Sequence, residues 1–390
     1  MLEEKATGTG KTAVGCLEVK MKDQSLQQKE YNTVFGILSA FGIVMIVAGH
    51  VDCRILAVGD LFPYYSFHVP LFLFISGYFY REKEEQAPLA YVKRKFCRLL
   101  LPYLLWNVFY GILAWALRAW GGFSLGGGLS LWNLFVEPFV SGYQFLYNFA
   151  AWFVPVLFVI EMMNLLLRLV LKKLHLNHEW LILAGTLAVG MTVVWLAKGG
   201  HVWGWYKTPG RILFLFPCFQ MGQFYYRRLE KHDTLGNLPY FAVLLGFQLV
   251  LTLTCGGLGY SSVWVTGFAN GPLLPYVTAV SGIAFWLRVS KILNPVLGKS
   301  RAVLYLGKNT YCVMMHHIFV FMLIKMALAA IAKGTGCFPD FDWEQYRGNI
   351  DYFYLVKGAD SFKMVYVLAG TTLPLLLQLG IDRIKEKILG

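Results

Sequence analysis

The stretch YNTVFGILSAFGIVMIVAGH, Tyr31 to His50, decides the fold. It is apolar almost throughout, and past its first turn the only ionisable side chain is the imidazole that ends it. Such a run is long enough to cross a hydrocarbon core as a helix. An ionisable group on such a segment is expensive and is usually retained for a function. Eighteen residues further on, His68 opens a second apolar run, HVPLFLFISGYFY.

Working outward, the whole chain repeats this character. It is 57% hydrophobic and only 15% charged over 390 residues, whereas a soluble domain is about a quarter charged. The apolar runs predict an all-α polytopic membrane protein of about ten transmembrane helices. They fall near 33–51, 61–80, 99–118, 150–171, 179–197, 209–226, 238–256, 271–288, 310–331 and 363–381. With the N-terminus inside, the inner segments hold 25 of the 35 Lys and Arg, while 119–150 and 256–270, both outer, hold none. That asymmetry fits both termini in the cytoplasm, and a multi-pass protein of the cell (plasma or inner) membrane is expected. The net charge of +13 then needs no nucleic acid, because basic loops facing anionic membrane lipid account for it.

Residues 1–30 read as a polar, disordered cytosolic tail, and 31–390 as a single membrane domain. The tail contains ATGTGKT, Ala6–Thr12, which resembles a phosphate-binding loop. It lacks the first glycine of that pattern (Lys5 stands there), the preceding strand and a domain to sit in. No cleavable signal peptide is expected, since the first apolar run is too long. Seven cysteines without paired spacing imply no disulfide framework. No internal repeat is evident.

Two outer segments stand out. Gly121–Asn148 is Gly- and aromatic-rich and reads as an interfacial or re-entrant piece. The segment 333–363 collects acidic residues beside Trp343, Tyr346, Tyr352 and Tyr354.

The ten-residue connection Val51–Asp60 makes the first two spans antiparallel neighbours, so His50 at the end of one and His68, seven residues into the other, can face one pocket in the outer half of the membrane. A neutral imidazole suits general-base work on a sugar or alcohol hydroxyl; the plainer alternative is a packing histidine bonded to a backbone carbonyl. On the inner side, Lys93, Arg94, Lys95 and Arg98 precede the third span. They are either a membrane-surface anchor or, through the Lys95-x-x-Arg98 spacing, a grip on a phosphate-rich ligand. His316 and His317 diverge by about 100° on a helix, so only one can face a given pocket. No His, Cys or carboxylate set recurs at metal-site spacing, and no metal is expected. Glu161 and Lys325 are buried charges that could pair with each other or with a histidine.

Five blocks together carry a resemblance: GIVMIVAGH, FHVPLFLFISGYFY, KRKFCRLLLPYLLW, WFVPVLFVIE and LGKNTYCVMMHH. The chain resembles the integral-membrane acyltransferase 3 family, in particular its fucose 4-O-acetylase-like branch, over about 31–385. The resemblance implies transfer of an acyl group, usually acetyl from acetyl-CoA, to a hydroxyl of a cell-surface glycan or related sugar. It implies an essential histidine at His50, a basic pair for CoA phosphates at Lys95 and Arg98, and a Ser-Gly at Ser76 and Gly77. Acetyl-CoA is then a co-substrate, and no cofactor is bound permanently. Two positions depart from the family's pattern: the basic residue eleven before the histidine is Ser39 here, and a Glu often found five residues after the Trp of the fourth block is Leu157, which the fucose-type branch also tends to lack. Arg211, at the outer start of the sixth span, is a candidate substitute for the basic charge. Trp152 and His317 complete the candidate pocket.

The mechanism expected from these residues is direct transfer. The CoA nucleotide rests on Lys93, Arg94, Lys95 and Arg98, the pantetheine arm threads toward His50, and His50 deprotonates the acceptor hydroxyl. His68 or Ser76 is the expected oxyanion donor. The competing readings are a multi-span transporter or flippase and an inactive member of the same fold; self-association into a homo-oligomer is left open.

Overall fold

The computed structural model describes residues 31–350, 352 and 362–389, which form a bundle of helices with no named strand. Every apolar run read from the sequence carries a helix. In chain order these are α1 Thr33–His50, α2 His68–Phe79, α3 Pro88–Lys95, α4 Leu101–Gly121, α5 Phe153–Lys173, α6 Glu179–Lys198, α7 Lys207–Phe224, α8 Asn237–Cys255, α9 Leu274–Leu297, α10 Arg301–Lys308, α11 Thr310–Thr335 and α12 Lys363–Leu389. A π-helical turn, Phe96–Leu100, joins α3 and α4 into one rod. Pro102 explains where it falls, because it lacks the N–H that would bond the Arg98 carbonyl and so frees the ladder to widen just upstream.

Among the described residues, eight helices are long and apolar enough to cross a membrane. The chain is therefore a multi-pass membrane protein. Two expected crossings fall short of that standard, for different reasons. Helix α2 has 12 residues, about 18 Å. Pro63 disfavours helix in the residue before it, and 61–67 forms turns and a short 3-10 piece instead. Helix α7 is long enough but carries Lys207, Thr208, Arg211, Gln220 and Gln223, all buried inside the protein.

Contacts between helix ends run these helices alternately up and down. At one end Thr33 Oγ1 donates to Asn294 Oδ1 (2.6 Å) and Arg227 pairs with Glu179 (2.8 Å). At the other, Lys363 meets Asp52 (3.5 Å). The first, which also carries Lys95, is called the basic end below, and the second the His50 end. Arg168, fully buried at the basic end, donates to both oxygens of Glu179 at 2.6 and 2.8 Å and to Gln223 at 2.8 Å, tying α5, α6 and α7 together.

Glycines let two of these helices touch backbone to backbone. A Cβ on Gly77 of α2 would lie 1.9 Å from the Phe219 carbonyl oxygen of α7, and one on Gly222 would lie 2.0 Å from the Phe74 oxygen. Any side chain at either position would force the pair apart, which is why small residues sit at close helix crossings in membranes.

The segment 121–148 folds against the bundle. Gln144 Nε2 donates to Tyr103 Oη (2.9 Å) and Asn107 Oδ1 (2.8 Å), and Asn107 Nδ2 donates to the Leu134 carbonyl (2.7 Å). Asn107 Nδ2 also reaches the Asn133 carbonyl (3.3 Å), so two carbonyls of this irregular backbone are met by buried protein groups, as membrane depth requires. Lys325 donates to the carbonyls of Asn349 (3.2 Å) and Ile350 (3.3 Å), anchoring part of the acidic segment 333–363. The phosphate-loop-like heptad lies outside the described residues, as do 353–361.

Candidate active site

One cavity of about 940 Å³ runs through the bundle from the basic end to His50. Helix α1 lines it from Ser39 to His50, eleven residues or about 16 Å. Helix α2 lines it over a similar length, from His68 through Ser76 to Phe79.

At the basic end the walls include Arg94, Lys95 and Arg98. The last turn of α3 and the π-turn that follows it present these residues together. Lys95 Nζ donates to Glu161 Oε1 (2.6 Å), and Ser76 Oγ donates to the same oxygen (2.6 Å). Arg94 pairs with Glu84. Glu161 is 1% exposed, so a buried carboxylate holds the one cation and a less buried one holds the other. Lys93, on a different face of α3, is exposed and does not line the cavity, unlike its three basic neighbours. The partner of Glu161 is thus Lys95, neither Lys325 nor a histidine.

At the other end the last residue of α1, His50, opens into the cavity. The Tyr65 hydroxyl donates to the Gly49 carbonyl (2.7 Å), fixing that helix end. His50 itself makes no side-chain hydrogen bond among the described residues. Its ring meets Phe149 edge-on at 5.4 Å and lies 5.1 Å from the His317 ring. His317 and Arg211 stand behind the cavity wall and do not line it. The two adjacent histidines separate as helical geometry demands: His317 turns to His50, and His316 Nδ1 bonds the Tyr110 hydroxyl at 2.8 Å. Arg211 Nε donates to the Val263 carbonyl (2.7 Å) and Nη1 to the Ser141 carbonyl (2.6 Å), while its guanidinium faces Trp152 at 4.8 Å. Helix α1 carries no Lys or Arg to line the cavity, and Ser39 Oγ donates to the Phe35 carbonyl (2.7 Å).

The oxyanion donor expected from the sequence is revised by two bonds. His68 Nδ1–H donates to the Tyr64 carbonyl, so the neutral ring offers the cavity a lone pair at Nε2 and no proton. Ser76 gives its proton to Glu161 and sits about 12 Å along α2 from His68. Sequence reasoning passed over a further hydroxyl. Ser262 lines the same cavity, and its buried hydroxyl has no partner among the described residues. It belongs to the short turn 261–266, closed by the Ser261–Thr266 backbone pair and strained at Val265 (φ 55°). Ordinary hydropathy gives no signal for such a turn.

Among the described residues no group of three or more His, Cys, Asp or Glu could hold a metal. What the arrangement offers is a passage with cations at one end and two imidazole lone pairs at the other.

Comparison with known proteins gives a single result. The profile of the acyltransferase 3 family, described as an acyltransferase domain, matches residues 37–349. No curated protein and no solved structure matches the chain at a significant level. The match takes in α1 from residue 37, every helix from α2 to α11 and the whole of the cavity described above, and the chain belongs to the acyltransferase 3 family.

Proposed function

We propose that this acyltransferase is an acetyl-CoA-dependent O-acetyltransferase of the plasma or inner membrane, with both termini cytoplasmic, acting on a hydroxyl of a cell-surface glycan or related sugar, as in the fucose 4-O-acetylase-like branch. The observation that carries this reading is the single cavity joining the Lys95 cluster to His50. A charged donor cannot cross the bilayer, but its nucleotide can stay at the basic end while the uncharged pantetheine arm extends toward the imidazole. CoA phosphates compete for Lys95 and Arg94 against the carboxylates that hold them, and Arg98 adds a third cation at the same wall.

The chemistry then balances in two steps. His50 accepts the proton of the acceptor hydroxyl as its oxygen bonds to the thioester carbonyl carbon. The tetrahedral intermediate collapses by breaking the C–S bond, and the departing CoA sulfur takes the proton back from the imidazolium, leaving an O-acetyl ester. Ser262 is the donor to the intermediate's oxyanion. Trp152, on the cavity wall, and His317, behind His50, set the shape and position of this end.

The test is purified protein, radiolabelled acetyl-CoA and a panel of sugars. The expected result is acetyl transfer in the wild type and a loss of about 10³-fold in His50→Ala, with the variant still folded and inserted. Normal turnover in His50→Ala contradicts the assignment, and donor-independent sugar uptake into vesicles marks a carrier instead.

A further inference from the structure

At the His50 end two cations stand outside ion-pair distance of any acid among the described residues. Lys207 opens α7 and Arg211 follows one turn later, with 8% and 1% of their surfaces exposed. Among the described residues neither forms an ion pair. Arg211 uses Nε and Nη1 on backbone carbonyls, which makes it a clamp between the turns at Ser141 and Val263, and its Nη2 is buried without a partner. Lys207 makes no hydrogen bond among the described residues. Its Nζ lies 4.3 Å from the Trp264 ring centre, 4.5 Å from Tyr143 and 5.2 Å from Trp203. Glu137, beyond ion-pair distance, is engaged by Trp132 Nε1 (2.8 Å) and by the Ser141 hydroxyl.

Burying a charge without a counter-ion in contact is costly, and three rings together with the more distant Glu137 offset only part of that. A side chain needed merely to fill an aromatic cage would be apolar.

The position of the cage relates it to the chemistry. Trp264 follows Val263, a cavity residue, and packs on Tyr143 at 4.7 Å. Tyr143 stacks on Phe149 at 5.8 Å, and Phe149 meets His50 at 5.4 Å. Trp203, 58% exposed, opens the other side of the cage to the exterior of the protein. A track of rings therefore leads from the protein surface past Lys207 to the imidazole.

We propose that this cage is an acceptor subsite selective for acidic sugars: a carboxylate or phosphate on the glycan binds Lys207 Nζ with Arg211 behind it, a sugar ring stacks on the Trp264 and Trp203 faces, and a neighbouring hydroxyl reaches His50. The proposal rests on the O-acetyltransferase reading for the last clause alone, since the subsite can be tested by binding without turnover.

The test uses the full-length detergent-solubilised His50→Ala protein, titrated calorimetrically with a uronic-acid oligosaccharide, its carboxyl-reduced neutral counterpart and a sugar phosphate. The acidic ligands are expected to bind about tenfold or more tightly than the neutral one, with an affinity that falls as salt rises. Adding Lys207→Met is expected to erase that preference, and Lys207→Arg to keep most of it. Equal binding of acidic and neutral sugars overturns the proposal, as does a Lys207→Met effect of the same size on both. Competition by a short-chain anionic phospholipid as strong as by the uronate overturns it too, because the cage would then be a lipid site. A preference for the uronate over the sugar phosphate, or the reverse, identifies which anion the subsite takes. In the otherwise wild-type enzyme, the ratio of kcat/KM for acidic over neutral acceptors should drop with Lys207→Met; absence of transfer to any acceptor defeats the acetyltransferase reading and leaves the binding result standing.

Discussion

The two ends of the cavity treat charge in opposite ways. At the basic end Lys95 holds Glu161 and Arg94 holds Glu84. At the His50 end Lys207 and Arg211 hold no carboxylate among the described residues, and His50 has no hydrogen-bond partner. A cation with a built-in counter-ion is stable alone and gives up that partner only to a stronger anion, such as a phosphate. Groups left unpaired are ready for a ligand that arrives with its own complement. The difference suits a donor whose charge is fixed and always phosphate, against an acceptor whose hydroxyl and substituents must be read.

Breaking the comparison at the reactive end should have the larger effect. Ser262→Ala is expected to lower kcat by about 10²-fold with little change in the KM for acetyl-CoA, if its unpartnered hydroxyl serves the oxyanion. A fall in donor affinity at unchanged kcat would instead place Ser262 in donor binding. Steady-state kinetics with varied acetyl-CoA separates the two.

At the basic end the effects should be smaller and of opposite sign for the two partners. Lys95→Met is expected to raise the KM for acetyl-CoA by about tenfold, through loss of a charge-assisted contact and release of the buried Glu161 carboxylate. Glu161→Gln is expected to lower that KM by roughly threefold, because Lys95, 29% exposed, is freed for phosphate. If both substitutions weaken donor binding equally, the pair is a structural pin. Lys93→Met, outside the cavity, serves as the control and should change the KM by less than about twofold.

Much of the architecture was legible in the sequence because hydropathy and basic residues report directly on a bilayer. The apolar runs marked every long helix, and the clustering of Lys and Arg marked one end of the bundle. His50, His68 and the Lys95 cluster were legible as chemistry for the same reason: ionisable groups at the ends of apolar runs are conspicuous. What stayed hidden depends on contacts distant in sequence. Nothing around Glu161 announces that it meets Lys95 and Ser76, and nothing around Gly77 announces the Phe219 carbonyl 1.9 Å from where a Cβ would stand. The hydropathy that located α2 also overstated it, because Leu61 and Phe62 are apolar but Pro63 keeps them out of the helix. The roles of His68 and Ser76 turned on single hydrogen bonds, which decide whether a hydroxyl or ring has a proton to offer. Ser262 and Lys207 escaped notice because a short turn and the first residue of a helix carry no periodic signal.

The most direct test is a cryo-EM structure of the protein with CoA bound. The account predicts phosphate density against Lys95 and Arg98, with Lys95 moved off Glu161, and the pantetheine arm following the cavity past Ser39 and Ser76 to bring the sulfur within hydrogen-bond reach of the His50 imidazole. CoA bound elsewhere, or with its sulfur held at the basic end and the passage beyond Ser76 empty, would contradict it.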